Sequence, residues 1–110
     1  MELGNILYLH IIELEPILLV SQEINKDRFC KVIKTIPVSG GKKDEQYMKY
    51  QLQSLTTNKI YEINNYLSPY NIKTIEELEN YLQQYEEFIL PERLLKMYET
   101  IEEIKEMIKE

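Results

Sequence analysis

Apolar residues change their spacing near Lys73. Before it they come in short, β-branched and often alternating runs, and after it they recur at helical intervals. The run ILYLHII (6–12), opened by Gly4, is too apolar to face water on both sides, and its β-branched and aromatic content predicts a buried strand. Glu13–Pro16 breaks it. Pro16 has no N–H for a ladder, so it belongs at the first residue of a second strand, ILLVS (17–21). The polar stretch Gln22–Arg28 suits a turn. A third strand is expected over FCKVIKTIPVS (29–39), with Phe29, Lys31, Ile33 and Thr35 on one side and Cys30, Val32, Lys34 and Ile36 on the other. Pro37 and Gly40–Gly41 punctuate its end, and Lys42–Gln46 reads as a charged loop. In MKYQLQ (48–53) Met48, Tyr50 and Leu52 face one way and Lys49, Gln51 and Gln53 the other, the period of a half-buried strand. A helix from Asp44 to Leu55 is its competitor, because Met48, Leu52 and Leu55 also match helical spacing. Thr56–Lys59 turns the chain into a fifth strand, IYEI (60–63), and a loop rich in Asn, Ser and Pro runs to Lys73.

Helical signals then take over. Thr74-Ile75-Glu76-Glu77 is a capping box, in which the Thr74 hydroxyl accepts an N–H three residues on and Glu77 reaches back. Ile75, Leu78, Leu82, Tyr85 and Ile89 form an apolar stripe, broadened by Tyr81 and Phe88. Pro91 suits the first turn of a second helix, whose stripe is Leu94, Tyr98, Ile101, Ile104 and Ile108. The pattern predicts one α+β domain over residues 1–110. About five antiparallel strands (1–73) form a small barrel or curled sheet, and two C-terminal helices (74–110) follow.

Charge sharpens this division. Residues 1–73 carry nine Lys/Arg against eight Asp/Glu, whereas residues 74–110 carry four against eleven, so most of the formal charge of -6 sits on the helical tail. A pI near 4.9 disfavours general binding to nucleic acid or anionic lipid, although it leaves room for a local basic surface. The single Cys30 cannot form an internal disulfide, which points to a reducing, cytoplasmic setting. The opening segment lacks a basic region and is interrupted by Glu2, Glu13 and Glu15, which argues against a signal peptide. No apolar run reaches the ~18 residues of a membrane span.

Candidate chemistry is sparse. His10, the sole histidine, lies within a strand and has no nucleophile or orienting acid beside it in sequence. Cys30 reads as a buried structural thiol, since the neighbouring Lys31 points to the opposite face of a strand. One His and one Cys cannot compose a usual zinc site, and the acidic clusters of the tail lack the Asp/Gly spacing of a calcium loop. No cofactor is expected. Glu13 and Glu15 read as a solvated turn. Gly40-Gly41-Lys42-Lys43 lacks the remaining glycine and the Ser/Thr of a P-loop.

The basic segment 26–49 admits two readings. It carries Lys26, Arg28, Lys31, Lys34, Lys42, Lys43 and Lys49, with Tyr47 and Tyr50 interleaved. Cations with rings are the makeup of a single-stranded nucleic-acid surface, which makes RNA a candidate partner here. Exposed lysines also guard strand edges, and these could dock on the acidic tail.

Across residues 4–39 the chain resembles the MazF/PemK family of toxin ribonucleases. Gly4-Asn5-Ile6 is similar to the family's opening, Pro16-Ile17-Leu18-Leu19-Val20-Ser21 to its second strand, and Ile36-Pro37-Val38-Ser39 to the end of its third. The resemblance implies an SH3-like barrel with helical additions. It also implies an endoribonuclease alternative, with residues 26–49 over the RNA and Ser39 near the cleaved bond. The family's arginine before the proline is replaced by Glu15, and an acid there repels phosphate.

The leading expectation is a non-enzymatic binding or inhibitor protein whose acidic tail (Glu99, Glu102, Glu103 and Glu106) engages a protein partner with a basic surface. A usage skewed to Ile, Lys, Asn, Tyr and Glu fits an AT-rich bacterial or phage genome. Small phage or mobile-element inhibitors of host defence, anti-CRISPR proteins among them, share this profile. Self-association through an uncovered stripe of the second helix, giving a homodimer, is a further alternative.

Overall fold

A computed structural model describes residues 2–11, 24–39, 46–64 and 70–109, without the side chains of Ile11, Ser39, Gln46, Tyr47 and Tyr70. The elements are β1 (Ile6–Ile11), β2 (Phe29–Ser39), β3 (Gln46–Ser54), β4 (Ile60–Asn64), β5 (Tyr70–Thr74), α1 (Ile75–Gln84) and α2 (Pro91–Ile108). Short 3-10 turns at Lys26–Arg28 and Glu86–Phe88 lead into β2 and α2.

The five strands form one sheet in the order β4-β3-β2-β1-β5, and all its pairings are antiparallel. The α+β expectation therefore holds, with two helices after the strands. The sheet is open among the described residues, so it takes the curled-sheet form rather than the barrel. Segment 46–54 is a strand, and the helical competitor over 44–55 is excluded for its described part. The strand expected over 17–21 lies outside the described residues.

One strand corrects the reading of 64–73 as loop. Tyr70–Thr74 pairs with β1 through Leu9↔Ile72 and His10↔Asn71. Its period of two is only five residues long and follows an Asn/Ser/Pro stretch. Its stability comes from a partner some sixty residues away, which local pattern does not report. β5 then leads straight into α1. The Thr74 hydroxyl accepts the Glu77 N–H at 3.1 Å, and the Thr74 N–H donates to Glu77 Oε1 at 3.1 Å, which is the expected capping box. Thr74→Ala is expected to cost about 1 kcal/mol, read as a lower urea midpoint at unchanged slope.

Alternation gives each sheet face its own core. Tyr8 and Phe29 (ring centroids 4.6 Å apart) lie under the helices with Ile24, Leu78, Leu82, Ile89, Met97, Ile101 and Ile104. The Tyr8 hydroxyl accepts the Asn25 N–H at 3.1 Å, tying the turn before β2 to this core. The opposite face packs Leu7, Leu9, Cys30, Val32, Tyr50, Leu52 and Ile63. The β3–β4 turn is closed by Ser54 Oγ, which accepts the N–H groups of Thr56 and Thr57, and Asn58 takes the left-handed conformation (φ 62°) that Asn tolerates.

The helical stripes are shifted at their ends. In α1 Leu78 and Leu82 are buried as expected, but the helix stops at Gln84, and Phe88 sits outside it, 65% exposed. In α2 the buried row is Met97, Ile101 and Ile104, and Ile108 at the last turn is exposed. That row is covered by the fold. Lys105 clips the helices together, 2.9 Å from Glu79 of α1 and 3.4 Å from Glu102. The hydrogen bond that Lys105 donates to the Glu79 carboxylate is the main cause holding its pKa above the ordinary value.

Candidate functional site

With the 97/101/104 row turned inward, a rotation of 100° per residue places Glu99, Glu102, Glu103 and Glu106 on the outer side of α2. All four are exposed. A shallow groove on this side is lined by Leu95, Tyr98 and these four glutamates. Leu95 is 60% exposed, and the Tyr98 ring is half-buried where it meets the core. The Tyr98 hydroxyl has its pKa raised, first by burial and then by the charges of Glu86 and Glu79, so it stays a neutral donor. The result is an apolar strip bordered by carboxylates, held on a helix whose other side is locked into the core. That is the general anatomy of a binding patch, with an apolar centre and a polar rim.

The carboxylates are not equivalent. Glu103 forms an ion pair with Lys26, so it joins α2 to the turn before β2. Glu106 meets Lys109 at 3.2 Å and Glu102 meets Lys105 at 3.4 Å, both as exposed pairs one turn apart. Such exposed pairs are worth little. Leu95 was not among the sequence candidates. Its signal was a leucine on the polar side of the α2 helical wheel.

The basic candidates divide. Register shifts between Val32 and Lys34, a bulge at Ile33. It reverses the alternation expected for β2, so Thr35, opposite Tyr50, shares the inner face with Cys30 and Val32. Lys34, opposite Gln51, and Lys31, opposite Gln53, then share the outer face. Lys49, opposite Ile36, joins them and lies 3.4 Å from Glu62. Tyr50 does not join them: it is 7% exposed and packed in the inner core, so its ring is not offered to a base. Lys42 and Lys43 lie outside the described residues, as do the side chains of Tyr47 and Ser39. Docking of the basic segment on the acidic tail is seen at Lys26–Glu103; no described ion pair carries Lys31, Lys34 or Lys49 to the tail.

His10 is buried, with its ring stacked 5.9 Å from Tyr8. Cys30 is fully buried, and its thiol lies 3.6 Å from the Arg28 carbonyl. Burial pushes the Cys30 pKa up from 9.0 to about 11, against a smaller opposing effect of Arg28. The native thiol is therefore expected to resist a thiol reagent at neutral pH and to react fully once the chain is unfolded in guanidinium. Because the folded pKa is the higher one, the unfolded chain releases this proton first, and stability falls as pH rises between 9.0 and about 11. Among the described residues no three His, Cys, Asp or Glu side chains come together to hold a metal, and no helix is long and apolar enough to cross a membrane.

No protein-family model, no curated protein and no solved structure matches this chain.

Proposed function

We propose that this is a small binding protein that grips a basic surface on a protein partner through the outer side of α2, and that it acts as an inhibitor by occupying that surface. The observation that carries this reading is the Leu95–Tyr98 strip bordered by Glu99, Glu102 and Glu106 on a helix fixed to the sheet. The rigid mount matters because a preorganised helix loses little conformational entropy on binding. Carboxylates around an apolar centre select cationic partners and speed the encounter, while Leu95 and Tyr98 supply area that excludes water. A basic surface that ordinarily holds nucleic acid fits this description, and occupying it blocks that use.

The test is affinity capture from a bacterial lysate with the wild-type chain and with a Glu102→Lys, Glu106→Lys variant, with protein and nucleic acid both measured in each eluate. The expected result is a basic protein retained by the wild type, released by salt and absent from the variant eluate. Equal retention by both chains counts against the reading. Nucleic acid without protein in the eluate would instead favour the ribonuclease alternative, which places RNA on the sheet.

A further inference from the structure

The helix-covered face of the sheet continues beyond the helices. Tyr8 and Phe29 lie beneath them, but further along no described element covers the outer face of β2, β3 and β4. Cross-strand rows there read Lys31–Gln53–Ile60, then Lys34–Gln51–Glu62, then Ile36–Lys49–Asn64. Lys31 and Lys34 are exposed, and no ion pair reaches either among the described residues. The face is cationic, with Ile60 (53% exposed) and half-buried Ile36 as its apolar elements. The acidic outer side of α2 complements this face in charge, and this favours a protein occupant over a nucleic acid.

We infer that this face receives the outer side of α2 from a second copy of the chain, in a head-to-tail contact. Three strands at about 4.8 Å spacing make a floor about 10 Å wide, which accepts one helix of about 10 Å diameter. Glu99 to Glu106 spans about 10 Å along α2, and the rows from Lys31 to Lys49 span about 13 Å. The two charge sets are therefore commensurate. Among the described residues no ion pair joins Lys31, Lys34 or Lys49 to α2 within one molecule, so the complementarity is left to a contact between molecules. The net charge of -6 opposes assembly at long range, but at about 0.1 M salt screening acts over about 10 Å and leaves the local contact attractive. The contact joins two different patches, so both faces stay available at the ends of an assembly and growth can continue. The inference rests on the α2 reading and adds a consequence: self-association conceals the gripping side until a partner competes for it.

Sedimentation velocity across protein concentration tests it, with Lys31→Ala, Lys34→Ala and Glu102→Gln, Glu106→Gln variants, all at exposed positions. The wild type is expected to associate reversibly at about 0.1 M salt, and at least tenfold more weakly at about 1 M, where screening shortens to about 3 Å. Each variant alone is expected to stay monomeric. An equimolar mixture is expected to form a species of twice the monomer mass and nothing larger, because each variant retains one competent face. A monomeric wild type, variants that associate like the wild type, or a mixture without the paired species would each overturn the inference. The α2 reading is judged separately: Lys31→Ala, Lys34→Ala leaves α2 intact and should still capture a basic partner even if the wild type proves monomeric.

Discussion

Phe29→Ala is expected to destabilise the protein by about 3–5 kcal/mol, the usual cost of removing a fully buried aromatic ring. Phe29 has no exposed surface, contacts the Tyr8 ring at a centroid distance of 4.6 Å, and belongs to the cluster that fastens both helices to the sheet. Its carbonyl also accepts the Leu55 N–H at 2.9 Å, so movement of this residue loosens the end of β3. A domain of this size is stable by about 5–15 kcal/mol, so the loss is a large part of the total. The expected readout is a Tm lower by roughly 15–30 °C with a cooperative transition. A change of only a few degrees would mean that the helices are not fastened through this cluster.

The second large effect is on binding. Reversing Glu99, Glu102 and Glu106 together to Lys is expected to weaken capture of a basic partner at least ~100-fold, because like charges facing each other cost several kcal/mol and each 1.4 kcal/mol is tenfold. The fold should survive. The ion pairs lost at Glu102 and Glu106 are exposed, so the Tm should move by no more than an ordinary surface change. The salt response should also change: wild-type affinity falls with added salt, while the reversed chain shows a flat or rising response. Unchanged affinity in the reversed chain would remove α2 from the account.

Much of the architecture was legible because it rests on local rules. The period of two in 48–53 marked β3, and Thr74 with Glu77 marked the start of α1 to the residue. What escaped depends on distant partners. β5 is held by β1, and nothing in Tyr70–Thr74 alone says so. The bulge at Ile33 is a property of the β2–β3 register, and it alone moves Lys34 onto the face of Lys31 and Lys49. Tyr50 illustrates the converse. Its alternation with Lys49 and Gln51 already set it with Met48 and Leu52, and the structure places it in the inner core accordingly, away from the lysines it stands beside in sequence. On α2 the acidic residues were visible as a charge run, but the groove was not, because Leu95 becomes meaningful only once Met97, Ile101 and Ile104 fix the rotation of the helix.

Carboxyl footprinting of the captured complex tests the gripping side most directly. Exposed glutamates of the monomeric Lys31→Ala, Lys34→Ala chain are amidated with a carbodiimide and a small amine, with and without the bound partner, and quantified residue by residue by mass spectrometry. Protection confined to Glu99, Glu102 and Glu106, with Glu62 and Glu76 labelled equally in both states, is the result expected. Undiminished labelling of the three α2 glutamates in the bound state would contradict the account.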